Sequence, residues 1–245
     1  INLCDQVGVR NVIRLARKCG INDPLYNDCQ NLTLGSSSTR LRDLVNAYAV
    51  VCANGFARKP IIITKVVDRN GKVIYSEDEE PRQQIISTRA AFLMQQLLKA
   101  GLEGTSHSLS NYVSRYMKDT DFGGKTGTTN ESADALYVGV IPNLVGGVWV
   151  GGEYRDIHPY GSGSTVSLPI WGKFLQMVLG DSHYKRYRTK FPDNRGISKS
   201  CYQCGITTWV SNDTTKAVTG EAEENSAEPA ASPVGGVPTS ATANE

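Results

Sequence analysis

Two β-rich runs, at residues 136–141 and 144–151, are separated by nothing but Pro142 and Asn143. Two residues cannot return the chain for a parallel pair, so an antiparallel hairpin is expected. A further strand is expected just upstream, in Asp121-Phe122-Gly123-Gly124-Lys125-Thr126-Gly127-Thr128-Thr129, with residues 130–133 as the connection. This stretch sets glycines, a lysine and hydroxyls between two apolar regions. A cation and several donors on one exposed edge suit a carboxylate and a carbonyl oxygen. The glycines let a substrate backbone approach closely. Gly146, Gly147, Gly151 and Gly152 imply bulges or close packing.

Helices are expected on both sides of these strands. Val9, Val12, Ile13, Ala16 and Cys19 form a stripe over residues 9–19, with Gly20 just past the end. Arg10, Arg14, Arg17 and Lys18 read as its solvated face. Residues 21–36 read as loop, with Asn22-Asp23-Pro24 as a turn. A second helix is expected over residues 39–54 on Leu41, Leu44, Val45, Tyr48 and Cys52, capped by Ser37 or Ser38 and closed by Gly55. A hairpin follows, with runs at 61–67 and 72–75 around Asp68-Arg69-Asn70-Gly71. Its Asn-Gly would supply the left-handed positions of a tight turn. Residues 77–80 read as an exposed acidic loop. Ser87 caps a helix at residues 88–100 that ends at Gly101, and residues 102–120 read as loop. Ser167 opens the last strong helix, with Pro169 in its first turn, Trp171, Phe174, Leu175 and Val178 inward, and Gly180 at its end.

The 245 residues suffice for one large domain or two small ones. The net charge of +2 gives no bulk electrostatic reason to bind nucleic acid. No apolar run approaches the ~20 residues of a membrane span. The start lacks an initiator Met and a signal-peptide layout and is read as a cut inside a longer protein. Residues 184–210 are basic and weakly patterned, and from Ala217 onward the near absence of large apolar residues predicts disorder. Cys4, Cys19 and Cys52 sit in helical patterns and read as buried free thiols. Cys201-Tyr202-Gln203-Cys204 is a single pair, and the histidines are His107, His158 and His183, so no metal site is expected. A local disulfide or two surface thiols is the reading for that pair. His158 reads as a loop histidine, Asp134 as a brace or strand cap, and Trp149 and Trp171 as core.

Gly124-Lys125-Thr126 has the ending of a nucleotide-binding loop. That motif needs a glycine five positions before Gly124, where Asp119 stands, and no strand precedes it. Lys-Thr-Gly is instead one of three motifs of penicillin-recognising serine enzymes. Gly-Lys-Thr-Gly-Thr-Thr-Asn at 124–130, then 133–139, Pro142 and Val148-Trp149-Val150-Gly151 resemble the transpeptidase domain of bifunctional (class A) penicillin-binding proteins. Leu34-Gly35-Ser36, Ala47-Tyr48-Ala49, Ala53-Asn54-Gly55, Asn70-Gly71-Lys72, Gly104-Thr105 and Leu168-Pro169-Ile170-Trp171 fall in that family's order. Gly151-Gly152-Glu153 with Arg155, Ile157 and His158 is similar to Bacteroidetes-type members.

The resemblance implies an α/β fold, an antiparallel sheet flanked by helices and incomplete at its N-terminal side. It implies residues 1–182 as the C-terminal portion of the domain, while composition sets 183–216 apart as a basic extension and 217–245 as a disordered tail. It implies serine acyl transfer on peptidoglycan stem peptides, trapped by β-lactams, without a cofactor. Lys125 would supply charge beside the serine, and Thr126 and Thr128 hydroxyls would bind a carboxylate. Thr128 N–H would be half of an oxyanion hole, with Gly127 kept small and Thr129 beside them. The family orders Ser-x-x-Lys, then Ser-x-Asn, then Lys-Thr-Gly. No Ser-x-Asn occurs here, and Ser182-His183-Tyr184-Lys185 falls after Lys-Thr-Gly and is read as chance. The nucleophile, a glycosyltransferase domain and a membrane anchor would then lie upstream, on the periplasmic face of the cytoplasmic membrane, and the isolated chain would be inactive. The alternatives are a serine β-lactamase-like hydrolase and a non-catalytic cell-envelope module.

Overall fold

A computed structural model describes residues 1–77, 81–154, 157, 160–193 and 196–197, all within one unit, Ile1–Tyr202. His158, Cys201, Cys204, residues 78–80 of the acidic loop and the tail from residue 217 lie outside the described residues.

The chain opens with two helices, α1 (Asn2–Val7) and α2 (Val9–Lys18), broken at Gly8, whose φ is 87°. Val9, Val12, Ile13, Ala16 and Cys19 are half-buried, as the stripe required. Gly20, at φ 98°, ends α2 by donating to the Arg17 carbonyl. The expected loop at 21–36 instead contains α3 (Cys29–Leu34). Asp28 caps it by accepting from Asn31 N–H at 2.8 Å, and Gly35 closes it at φ 80°. The next helix is α4 (Leu41–Cys52). Neither Ser37 nor Ser38 caps it; Arg40 stands at its start, and Ser37 Oγ accepts from Tyr26 N–H. Gly55, at φ 92°, returns its N–H to Val50 and closes the helix as expected.

A two-residue strand, β1 (Phe56–Ala57), precedes the hairpin of β2 (Lys65–Val67) and β3 (Val73–Ser76). Only Gly71 of the turn is left-handed; Asn70 is not. Asp68 replaces the expected Asn-Gly geometry by accepting from the N–H groups of Asn70 and Lys72 at 2.8 and 2.9 Å. β4 (Gln83–Gln84) pairs back to β1. Ser87 then caps α5 (Thr88–Ala100) by accepting from Ala90 N–H at 3.1 Å, and Gly101 follows it, as the sequence predicts. Residues 102–120 are not open loop but a chain of single turns that includes α6 (Ser110–Val113). Their Leu109, Val113 and Tyr116 are buried.

The main sheet has the order β5-β6-β7 and is antiparallel, from β5 (Gly123–Thr128), β6 (Asp134–Ile141) and β7 (Leu144–Gly151). Pro142 and Asn143 turn the chain between Ile141 and its partner Leu144. Strand alternation gives β6 two buried faces. Tyr137 and Ile141 join Trp171, Leu175 and Leu109 in one core; Val140 joins Cys52, Leu98 and Phe191 in the other. The glycines of the hairpin serve close packing, since the β6–β7 register carries no bulge. A Cβ on Gly146 would lie 2.2 Å from the Trp171 ring, and one on Gly147 would lie 2.5 Å from Val45.

A wide turn at Gly163–Ser167 leads into α7 (Leu168–Gly180), with Pro169 in its first turn. Leu168, Trp171, Leu175 and Leu179 are its buried face. Phe174 was expected inward but is 39% exposed and stacks on Trp171 from outside. After a turn at Ser182–Tyr187 the chain returns to the start of β5. Asp121 N–H donates to the Thr189 carbonyl, and the Asp121 carboxylate accepts from Phe191 N–H at 3.0 Å. Lys99 pairs with the same carboxylate at 3.1 Å.

Candidate active site

The hydroxyl- and lysine-bearing stretch forms β5, an outer strand of the sheet, so one of its backbone edges has no strand partner among the described residues. Its register with β6 runs from Gly123↔Val140 to Thr128↔Ala135 without interruption. Alternation divides its side chains between two faces. Lys125 and Gly127 share a face with Leu136, Val138 and Val140, towards Cys52 and Leu98. Thr126 and Thr128 share the opposite face with Ala135 and Tyr137. The stretch therefore does not present all its groups on one surface. It sends a cation one way and two hydroxyls the other, with the open backbone edge between them.

Each hydroxyl is held by a neighbour. Thr126 Oγ1 and Thr105 Oγ1 are 3.1 Å apart, which ties the Gly104-Thr105 turn to the strand. Thr128 Oγ1 accepts from Gly163 N–H at 3.1 Å. A hydroxyl that accepts one hydrogen bond still has its own hydrogen to donate, so Thr128 remains a donor. Gly163 lies hard against the strand: an added Cβ would be 2.2 Å from the Leu136 carbonyl and 2.6 Å from that of Gly127. Ser167 Oγ donates to the Ala135 carbonyl at 2.7 Å and fixes the other end of this turn. Lys125 is exposed, and its Nζ donates to the Thr126 carbonyl at 2.9 Å.

Beyond Thr128 the chain is clamped by Asp134. Thr129 Oγ1 donates to Asp134 Oδ2 at 2.9 Å and accepts from Asp134 N–H at 2.9 Å. Thr129 N–H donates to the Asp134 carbonyl, and Trp149 Nε1 donates to Asp134 Oδ1 at 2.9 Å. One carboxylate thus joins the end of β5 to β6 and β7. Between its two ends, Glu131 and Ser132 take left-handed φ values of 60° and 57°, a cost the closed loop has to hold. Trp149, expected as core, is 47% exposed and serves this clamp; Trp171 is core as expected. Beneath the strand, burial pushes the Tyr137 hydroxyl up to about 12, partly offset by Ser106.

Lys125, Thr126, Gly127, Thr128 and Thr129, the candidates read from residue types, all fall on or next to β5. Sequence reading missed Gly163, 35 residues downstream of Thr128, and did not separate the Asp134 clamp from a strand cap. A groove of about 890 Å³ lined by Leu41, Arg42, Val45, Arg58 and Arg82 lies towards the Pro142 turn, at the end of the sheet away from Thr128. Among the described residues no group of three or more His, Cys, Asp or Glu side chains could hold a metal ion, and no helix is long and apolar enough to cross a membrane.

An antiparallel sheet edged by Lys-Thr-Gly-Thr and backed by helices is the architecture of penicillin-recognising domains, and the comparisons agree. The chain belongs to the penicillin-binding protein transpeptidase domain family, whose profile matches residues 22–150. Its relatives include penicillin-binding protein 1A of Aquifex aeolicus, 34% identical over 181 residues, which covers 73% of this chain and 24% of the relative. Penicillin-binding protein 2D of Bacillus subtilis is 29% identical over 181 residues, covering 71% of this chain and 25% of the relative. The chain therefore spans about a quarter of the length of these curated relatives. Among solved structures, penicillin-binding protein 1A of Haemophilus influenzae superposes with a TM-score of 0.65 at 25% identity, over 73% of this chain and 32% of that one. PonA1 of Mycobacterium tuberculosis in complex with penicillin V superposes with a TM-score of 0.54 at 26% identity, over 70% of this chain and 50% of that one.

Proposed function

We propose that this chain supplies one wall of the active site of a serine D,D-transpeptidase, part of a bifunctional peptidoglycan synthase at the periplasmic face of the cytoplasmic membrane. The observation that carries the reading is the open edge of β5, where the N–H and C=O groups of a glycine-rich strand stand between Lys125 and two anchored threonines. A stem peptide lies along that edge as an added strand. Gly127 has no side chain to stand in its way. Thr126 and Thr128 donate to its terminal carboxylate, and Lys125 adds positive charge beside the reacting serine. Thr128 N–H stabilises the oxyanion formed when serine attacks the carbonyl, a contribution of about 3 kcal/mol for one such donor. Thr129 keeps that N–H in place through Asp134. The acyl group then passes to an amine of a neighbouring strand, and a β-lactam enters the same cleft and stops at the acyl-enzyme.

The serine is proposed to come from outside these 245 residues. Ser182-His183-Tyr184-Lys185 lies in the turn after α7, whose first N–H groups are capped by Asp181, and it follows rather than precedes β5. Residues 1–182 are read as the domain portion, with the basic segment after it strapped back through Asp121 and Phe191. A fluorescent penicillin tests this. The complete polypeptide, with its upstream region, is expected to be labelled covalently, and Lys125→Ala to slow labelling at least 100-fold. The 245-residue chain alone is expected to stay unlabelled. Labelling of that chain at Ser182 would overturn the assignment.

A further inference from the structure

Among the described residues, five buried side-chain polar atoms have no hydrogen-bond partner: Gln95 Oε1, Ser106 Oγ, Ser108 Oγ, Tyr137 Oη and Trp171 Nε1. Gln95 is at least anchored through its amide nitrogen, which donates to the Val51 carbonyl at 2.9 Å. The other four lie on the opposite side of the sheet. Tyr137 and Trp171 belong to the core between the sheet and α7. Ser106 and Ser108 belong to the turns over residues 101–109, which pack against β5 at one end and α7 at the other.

Three of these atoms converge on two glycines. A Cβ on Gly124 would lie 2.3 Å from Tyr137 Oη, so the tip of the phenol rests on that glycine. A Cβ on Gly139 would lie 2.0 Å from Trp171 Nε1. Gly124 and Gly139 face one another across β5 and β6, and the Cβ positions of such a pair are about 5 Å apart. One water molecule at about 2.8 Å from each of two polar atoms spans that distance. Ser106 stands beside the same strand: a Cβ on Gly101 would lie 2.7 Å from the Gly124 carbonyl oxygen and 3.9 Å from Ser106 Oγ. Ser106 also offsets part of the rise that burial imposes on the Tyr137 hydroxyl, so it stands near the phenol without a direct hydrogen bond.

We propose that Tyr137 Oη, Ser106 Oγ and Trp171 Nε1 bind one ordered water molecule, which ties the 101–109 turns to the inner face of β5. The three side chains are 0%, 0% and 3% exposed, which leaves no path for a larger ligand. All three groups are neutral, so the occupant is neutral too. Trp171 N–H can only donate, and it gives its hydrogen to the water oxygen. Tyr137 O–H donates to the second lone pair, and the water donates to Ser106 Oγ. Three bonds are usual for a buried water. Leaving three such groups desolvated and unpaired in one place costs far more than immobilising one water. Ser106 directly follows Thr105, whose Oγ1 lies 3.1 Å from Thr126 Oγ1, so the water also steadies the turn that braces β5. The inference does not depend on the reading of the Lys125 site.

A high-resolution crystal structure of the 245-residue chain tests the site. The expected result is one ordered water within about 3.2 Å of Tyr137 Oη, Ser106 Oγ and Trp171 Nε1. A direct hydrogen bond between two of these atoms with no water between them, or dry packing around all three, would overturn the proposal. Tyr137→Phe gives an independent answer in solution. It strips the water of one partner, so the variant is expected to melt about 2–4 °C below the parent. A hydroxyl buried with no partner is a burden, and its removal would leave the melting temperature unchanged or raise it; either result would refute the bound water. Ser106→Ala is expected to act in the same direction as Tyr137→Phe, and the two losses to fall short of additive in the double variant. Full additivity would show that the two hydroxyls share no water.

Discussion

Gly163→Ala should damage the chain through a contact that its position in sequence does not reveal. The new methyl would stand 2.2 Å from the Leu136 carbonyl oxygen, 2.6 Å from the Gly127 carbonyl oxygen and 3.1 Å from the Gly127 nitrogen. All three are backbone atoms inside a paired ladder, so none can swing aside as a side-chain tip would. The turn must therefore lift away from β5. Overpacking of this kind costs about 1–3 kcal/mol. Lifting the turn also breaks the 3.1 Å bond from Gly163 N–H to Thr128 Oγ1, worth about 1 kcal/mol more. The total of about 2–4 kcal/mol corresponds to a fall in melting temperature of about 5–10 °C for a folded unit of this size. Urea unfolding followed by circular dichroism measures it. Thr128→Val removes the acceptor without adding bulk and should cost about 1 kcal/mol. In the double variant the Thr128 change should cost almost nothing further, because the bond is already gone. A Gly163→Ala chain that melts within about 1 °C of the parent would refute the packing argument. Equal losses for the two single variants would assign the whole effect to the hydrogen bond.

Two other outcomes are expected. Asp134→Asn cannot accept from both Thr129 Oγ1 and Trp149 Nε1 as the carboxylate does, so it should lose about 1–2 kcal/mol in urea unfolding. Trp149→Phe should lose about half as much, and an unchanged Asp134→Asn would show that the clamp carries no load. Burial pushes the Cys52 thiol from 9.0 up to about 12. The unfolded chain therefore releases that proton from about pH 9 while the folded chain keeps it, and stability falls with rising pH by about 1.4 kcal/mol per unit. Urea midpoints between about pH 8 and pH 10.5 measure the slope, which Cys52→Val should flatten; an identical slope in that variant would refute the assignment. Tyr137, pushed up to about 12 mainly by burial, adds a like loss only above about pH 10.

The three main strands were legible because short connections leave few topologies and because apolar runs of that length need a sheet. The ends of α5 were legible because Ser87 and Gly101 do opposite jobs at opposite ends of a helix. α3 was not, since six residues make fewer than two helical turns and Asn22-Asp23-Pro24 dominates its neighbourhood; only Asp28 and Gly35 mark it. Leu109, Val113 and Tyr116 recur at spacings of four and three, a helical signal hidden in a run of serines and turns. Phe174 failed because the face of α7 is set by what β6 and β7 leave open beneath Trp171, and a helical wheel does not contain that. At the candidate site, residue types pointed to Lys125 and the threonines. The partners that hold them, Thr105, Gly163 and Asp134, depend on chain crossings of 21, 35 and 5 residues, and only the last is local.

The free border of β5 has a second meaning. A strand border with no strand partner among the described residues, proposed above to receive a peptide, could also receive another copy of itself, and exposed strand borders are where folded chains begin to aggregate. The composition of this border works against that outcome. Gly123, Gly124 and Gly127 give little β-propensity and no apolar side chain to bury between two stacked copies. Lys125 would face a second Lys125 or its near neighbours in an edge-to-edge pair, at a cost in charge repulsion. The features that would fit the strand, on the proposed reading, for a short, oriented peptide thus also work against its joining its own kind, and a substitution such as Lys125→Val would be expected to cost solubility.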